Sequence, residues 1–592
     1  MVHTPGLGLI GATLLLATTS VVLAHGRDEH AGETANMGPA PSSMPTATMK
    51  SSSVSPHNYF SYPALGGFMW GHIVLMTIAW VFVLPIGIML SVARSRLALP
   101  AQLCFLVLHS VGLLIGTVYS SKAPDLYENN AHNKIGWIVT WIVVAQYIIG
   151  LVKSAASVKE PQDIDAEEKT AFLPISTEAL AQQQEPTYSL DEYRYSRDSG
   201  HFTASEASRS QSISSVQDLE VEEHQKLLKH QTPHADTDAE YTEKQDLSGN
   251  TKAQRVASRV AAMMSQRTTR ALNVAYNAID CVSLLLGFAA IVSGAVVYGG
   301  VFRGDNVFNG LAHTVKGGIF FWYGLLTLGR WMGCFSELGW AWNVRPPVEV
   351  ISRRKAAMPS AEFVESFVIF LYGASNVFLE HLAAWGHAWS AQDLEHVSIT
   401  IMFFGGGLCG MLVESTQIRD LLNTAILYSP AVKSNKELSS APKTYSFSMN
   451  PFPGLIILLL GLMMSSHHQA SMVSTMIHKQ WGTLFVGFAL ARAVTYILQY
   501  VTPPSSYLPS RPPSEIVSSF CLISGGLIFM ASNKDTVAAM EKYNLNAMFV
   551  LTVTIGFTSL LMAWAIIALA VKGWAARRGQ VSQTYGFSTG DA

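Results

Sequence analysis

Apolar residues in this chain fall in blocks of about 20, the length a helix needs to cross a bilayer, each bounded by polar or basic residues. Three blocks come early, at 67–91, 100–120 and 134–153. Eight more follow, at 277–300, 311–331, 362–383, 394–413, 452–470, 476–500, 514–532 and 546–572. The stretch between the two groups is rich in Ser, Gln, Glu and Lys and poor in aromatics. That composition cannot bury a core and reads as disordered. The pattern predicts an all-α polytopic membrane protein of about 11 transmembrane helices, three and then eight, joined by a long linker.

Composition agrees. The 592 residues are 49% hydrophobic and only 14% charged, with a mean hydropathy of +0.26, too apolar for a soluble protein of this size. A net charge of −2 leaves no footprint for nucleic acid. Cys104, Cys281, Cys334, Cys409 and Cys521 fall in or beside apolar runs and read as small buried hydrophobes, not as a disulfide framework. No phosphate-binding glycine loop, nucleophile elbow or triad spacing occurs, so the chain leans away from being an enzyme.

The start, "MVHTPGLGLIGATLLLATTSVVLA", has an apolar core and small residues at Val22 and Ala24, as a signal peptide does. The expected organisation is a signal peptide at 1–24 and a disordered extracytosolic lead at 25–65. A three-helix membrane domain at 66–153 and a disordered cytosolic linker at 154–270 follow, then an eight-helix domain at 271–573 and a cytosolic tail at 574–592. Basic residues test the orientation. Arg94 and Arg96, Arg267 and Arg270, Arg353 to Lys355, Arg419, Arg511, and Arg577 and Arg578 all fall on one side. The N-terminus is therefore expected outside the cytosol and the C-terminus inside, in the plasma membrane or a vacuolar or endosomal membrane of the secretory pathway.

On this topology most of the 18 histidines gather at the outer face. Two stretches concentrate them: "FLEHLAAWGHAWSAQDLEH" at 378–396 and "MMSSHHQASMVSTMIHKQWG" at 463–482. Glu380, His381, His396, His467, His468 and His478 are the candidate ligands of a transition metal, Zn or Cu, since imidazole with one carboxylate suits such ions. His387, in the loop, is the weakest candidate. Two other readings stay open. Interfacial imidazoles also bond headgroups, water and helix ends, and they also carry protons near neutral pH. Asp280, Arg330, Glu365, Glu414 and Arg492 map to the inner halves of their helices, where a mutually neutralising ion network is the expectation.

The early blocks have a logic of their own. His72 opens the first and His132 precedes the third, both at the outer face, as a bis-histidine haem requires. His109 lies deeper, in the second. Gly71-His72, Trp80 with Leu84-Pro85-Ile86-Gly87 and Arg94, His109, and His132 with Ile135-Gly136 and Gln146 resemble the cytochrome b561 type of membrane domain over about 65–153. The resemblance implies haem b on His72, His132 and His109 and an electron-transfer or metal-reductase role. The family's fourth helix supplies a partner for the middle histidine, and the fourth span here, "NAIDCVSLLLGFAAIVSGAVVYGG", has none. The whole chain resembles the fungal family of yeast transmembrane proteins through "KGGIFFWYGLLTLGRWMGCFSELGWAWN", "FLEH" and "HHQ…IHKQWG". The histidine pattern is also similar to the transmembrane protein 45 family.

Smaller signals complete the reading. His25, His30, Met37, Met44 and Met49 in the lead suit copper capture. In the linker, Glu223 to Leu228 has the spacing of an acidic di-leucine sorting signal, and "SRSQSISS" is a candidate phosphosite cluster, so sorting or phospho-dependent adaptors are candidate partners alongside the lipid bilayer and a metal ion. The expectation is a non-enzymatic protein that binds and moves a transition metal, with a haem b electron-transfer protein as the alternative.

Overall fold

Each of the eleven apolar blocks forms a helix in the computed structural model. It describes residues 58–62, 64–157, 265–304, 306–383, 389, 391–428, 441–466 and 469–588, with the backbone alone at 156–157, 377–383, 391–393, 427, 443 and 579–588. The signal peptide, nearly all of the lead and linker, His387, His467 and His468 lie outside the described residues. The helices are α1 (Gly66–Val92), α2 (Ala98–Lys122), α3 (Ala131–Ser157), α4 (Gln266–Gly299), α5 (Asn306–Met332), α6 (Ala361–Ala383), α7 (Ala391–Glu414), α8 (Phe452–Ser466), α9 (Met472–Val501), α10 (Pro513–Ala531) and α11 (Ala547–Ser588). Eight of them are long and apolar enough to cross a membrane, the others being α5, α6 and the shorter α8. No strand occurs among the described residues.

Local chemistry sets the helix ends. Ser265 and Ser471 cap α4 and α9 by accepting from the backbone N–H groups of Thr268 and Ser474. Gly300, at φ 70°, closes α4 in the left-handed conformation that favours glycine. In α1 the backbone passes through a π-helical turn at Ile78–Val83, just before Pro85. Proline has no N–H for the carbonyl of Val81 four residues back. That carbonyl instead accepts from Trp564 Nε1 of α11 at 2.9 Å.

Two bundles result. In the first, α1 packs along α2 and α3 along α4, so α1 and α3 face each other across the diagonal. Ala79, Trp80, Leu84, Phe105, Val139 and Val143 form its core, and Leu284 and Leu286 of α4 pack against it. Thus α4, the first helix of the expected eight-helix domain, completes the N-terminal bundle. It also bridges to the second, where Phe288 stacks on Phe321 at 5.2 Å. The hub of the second bundle is α10: its apolar stretch is 61% buried against 11% for α4. Close backbone approach makes this possible. A Cβ on Gly317 of α5 would lie 2.5 Å from the carbonyl oxygen of Gly526 on α10, so only glycine fits.

Candidate functional site

The diagonal of the first bundle brings His72 and His132 together, ring centroids 6.4 Å apart and planes at 80°. His72 Nδ1 lies 2.8 Å from the carbonyl oxygen of Gly112, which can only accept, so Nδ1 carries the proton. His132 Nδ1 lies 3.1 Å from Ser293 Oγ. The single hydroxyl proton of Ser293 is already donated to the Ala290 carbonyl at 2.9 Å, so Ser293 accepts and His132 Nδ1 also donates. Both rings therefore keep their lone pair on Nε2. Glycines make room for both. A Cβ on Gly116 would stand 2.6 Å from His72 Nδ1, and one on Gly294 would stand 3.0 Å from His132 Cε1.

His109 has the opposite arrangement. Its Nε2 lies 2.9 Å from Thr140 Oγ1, whose proton goes to the Gly136 carbonyl at 2.7 Å, so Nε2 donates. Its Nδ1 accepts from Trp80 Nε1 at 3.3 Å. The ring is stacked on Phe105 at 5.7 Å. Both nitrogens are engaged by protein groups, so His109 keeps no lone pair for a cofactor.

Of the candidate metal ligands, Glu380 and His381 lie in the last turn of α6, where the backbone alone is described, and His467 and His468 lie outside the described residues. His396 is half-buried on α7 and His478 is buried on α9. One turn inward from Glu380 and His396, Asn376 Nδ2 donates to Thr400 Oγ1 at 2.9 Å, and Thr400 donates to the His396 carbonyl at 2.8 Å. That seam holds α6 against α7 with Glu380 and His396 next along it. His478 is brought to a residue outside the predicted set, His313 of α5, with ring centroids 6.2 Å apart. Their Nδ1 atoms donate to the carbonyls of Ser474 and Asn309, both at 2.8 Å. His313, His396 and His478 each engage a further group as well. Among the described residues no three His, Cys, Asp or Glu side chains come within reach of one metal ion. His313 counts among the outer-face histidines of the sequence but not among the candidate ligands, because it is a lone histidine far in sequence from either hairpin.

The buried charges sort into three places. Asp280 accepts from Ser91 Oγ at 2.7 Å and from Gln146 Nε2 inside the first bundle. Glu414 accepts from Ser360 and Ser448 at 2.7 and 2.6 Å. The rest form one network in the second bundle. Arg330 reaches Glu362 at 2.8 Å and Glu365 at 2.7 Å. Arg492 reaches Glu365 at 3.4 Å and Glu515 at 2.7 Å. Trp342, from the loop between α5 and α6, lies against both guanidinium groups, 4.4 Å from Arg330 and 5.6 Å from Arg492. The loop is fixed there by Ser510 Oγ donating to the Trp342 carbonyl and Asn343 Nδ2 donating to the Tyr507 carbonyl, both at 2.7 Å.

Known sequences match over most of this architecture. Residues 286–573 match the family described as "Protein YTP1-like, C-terminal", and 53–156 match a domain of unknown function, DUF2427. The chain is 34% identical over 524 residues to "Uncharacterized membrane protein C3B8.06" of Schizosaccharomyces pombe, covering 88% of this chain and 96% of that one. It is 37% identical over 322 residues to "Uncharacterized membrane protein YCR061W" of Saccharomyces cerevisiae, covering 53% and 50%. "Protein YTP1" of the same yeast is 21% identical over 290 residues, covering 49% and 52%. No solved structure matches significantly.

Proposed function

Because the chain belongs to the family of fungal multi-pass membrane proteins with a YTP1-like C-terminal domain, whose names carry no activity, we propose its function from its own residues: it holds one haem b between His72 and His132 and exchanges electrons at that end of the membrane domain. The observation that carries this reading is the pair of rings at 6.4 Å with both Nδ1 atoms tied to protein acceptors. Two iron–nitrogen bonds of about 2 Å and the size of an imidazole put the centroids of a bis-histidine haem roughly 6 to 6.5 Å apart. The Nδ1 hydrogen bonds fix each ring and raise its basicity as a ligand. Bound there, haem supplies one-electron exchange.

The resemblance to cytochrome b561 implies a second haem as well, and the surroundings of His109 argue for one only. Helix α4 carries no histidine to pair with His109, and both His109 nitrogens are used. With one haem, exchange stays on one side, which the basic loops predict to be extracytosolic. The test is the reduced-minus-oxidised visible spectrum of the purified full-length protein. A sharp α-band is expected, lost in His72→Ala and His132→Ala and kept in His109→Ala. Absence of the band from wild-type protein supplied with haem would sink the reading.

A second reading, binding and passage of Zn or Cu at Glu380, His381, His396, His467, His468 and His478, is favoured by one observation: His478 is buried against a second imidazole, His313. Elemental analysis decides it. Bound metal should fall to background in His478→Ala and in His313→Ala, and unchanged metal in both removes the reading.

A further inference from the structure

The network of the second bundle holds three carboxylates, Glu362, Glu365 and Glu515, and two guanidinium groups, Arg330 and Arg492, all buried. Fully ionised, it carries one unbalanced negative charge inside a membrane bundle, which is costly. The imbalance falls unevenly. Arg330 gives a short hydrogen bond to each of Glu362 and Glu365. Arg492 is divided between Glu365 and Glu515. Glu515 is fully buried, and although Arg492 Nε stands 2.7 Å from its Oε1, neither carboxylate oxygen has a donor in hydrogen-bonding alignment.

Two further groups lie on the same pair of helices, α5 and α10. Ser518, one turn along α10 from Glu515, and Thr327, one turn before Arg330 on α5, are fully buried hydroxyls with no hydrogen-bond partner. The helices run antiparallel, with Gly317 against Gly526 and Gly324 against Ile523. That register sets Thr327 level with Ser518 and Arg330 level with Glu515. Buried polar groups are rarely left unpaired, and a set of them around an undercompensated carboxylate marks a place for a missing ligand. The ligand must bring one positive charge and a donor.

We propose that this network binds one exchangeable proton, carried on Glu515, and that Ser518 and Thr327 belong to its site. The proton adds to a carboxylate oxygen and comes from water at the end of the bundle that the Trp342 loop covers. The sum of charges goes to zero, and the new O–H is a donor where acceptors lacked one. Arg492 is then released from Glu515 toward Glu365, so loading and unloading exchange the two partners of one guanidinium. Arg492 is the charged group that reaches Glu515, and the other titratable groups around Arg492 and Glu365 are Arg330 and Tyr323 of α5, Glu362 of α6 and Tyr496 of α9. From α11, Thr558 meets α10 at Ser524, and Lys572 lies beside Cys334. The site is independent of the haem reading, since it lies in the other bundle.

Infrared difference spectroscopy of the full-length protein in nanodiscs, stepped in pH, tests this. A protonated-carboxyl C=O band that shifts in D2O should grow as pH falls and be absent from Glu515→Gln. A band that survives Glu515→Gln and disappears in Asp280→Asn or Glu414→Gln overturns the proposal. So does a response that follows Na+ or K+ at fixed pH. Should Glu515→Gln fail to assemble, Ser518→Ala carries the test: the C=O band should change frequency as the carboxyl loses a hydroxyl neighbour, and a band unmoved from its wild-type frequency overturns the proposal equally.

Discussion

His72 and His132 stand with ring centroids 6.4 Å apart and planes at 80° across the diagonal of a four-helix bundle, although their own helices barely touch. What sets their spacing is the pair of helices between them. Gly112 and Gly116 of α2 seat one ring, and Ser293 and Gly294 of α4 seat the other. The flanking helices thus decide whether the two imidazoles can share a ligand.

Gly116→Ala should therefore act on His72 without touching it chemically. The added methyl would stand 2.6 Å from Nδ1, so the ring must turn and give up its bond to Gly112. Overpacking of this kind costs about 1 to 3 kcal/mol. Haem content should drop while helicity by circular dichroism stays as in the wild type.

Ser293→Ala removes the acceptor of His132 Nδ1–H and leaves the ring in place. The α-band should persist, and the haem midpoint potential should rise because a less basic imidazole favours ferric iron less. Spectroelectrochemical titration reads this directly. An unchanged potential would show that Ser293 does not tune a ligand.

Arg330→Met should be among the most damaging single changes in the second bundle. It strands Glu362, which Arg330 now holds at 2.8 Å, and leaves Glu365 with only its longer contact to Arg492 at 3.4 Å. Removing one partner of a buried ion pair costs roughly 3 to 5 kcal/mol. Arg330→Lys should rescue only in part, because a single ammonium cannot copy a fork that serves two carboxylates. Thermal unfolding in detergent, followed by size-exclusion chromatography, should rank the three proteins in that order.

Helix positions were legible in the sequence because apolar block length alone fixes them. The approach of His72 to His132 was legible from their matching depth in two apolar blocks. The ion network was half legible. Arg330, Glu365 and Arg492 stood out as charges in the inner halves of apolar blocks, whereas Glu362 and Glu515 sit in the first turns of α6 and α10, where a carboxylate also makes sense at a helix N-terminus. Asp280 and Glu414 carry the same signal as the network residues and lie elsewhere, because sequence shows depth and not azimuth. Nothing in the composition of α1 announced that Trp564 would serve its Val81 carbonyl.

That contact makes its own prediction. Trp564→Phe removes one neutral hydrogen bond and should cost about 0.6 to 1 kcal/mol. In a Pro85→Ala background the N–H of residue 85 is restored and can serve the Val81 carbonyl, so the same change should cost less. A double-mutant cycle on thermal stability measures the difference, and simple additivity would show that the proline is not the reason for the contact.

The Trp564–Val81 hydrogen bond joins residues 483 positions apart, and that separation bears on how the protein is made. The ribosome releases α1 long before α11 exists, and α4, which seats His132, emerges only after the linker has been synthesised. The N-terminal bundle therefore cannot mature in the order of translation. Its first three helices must wait in the bilayer, with the Val81 carbonyl unserved and the His132 side open, for partners made late. Nascent chains halted before α4 should accordingly be more exposed to quality-control proteolysis than chains halted after it, and the full grip on α1 should come only when the last helix is inserted.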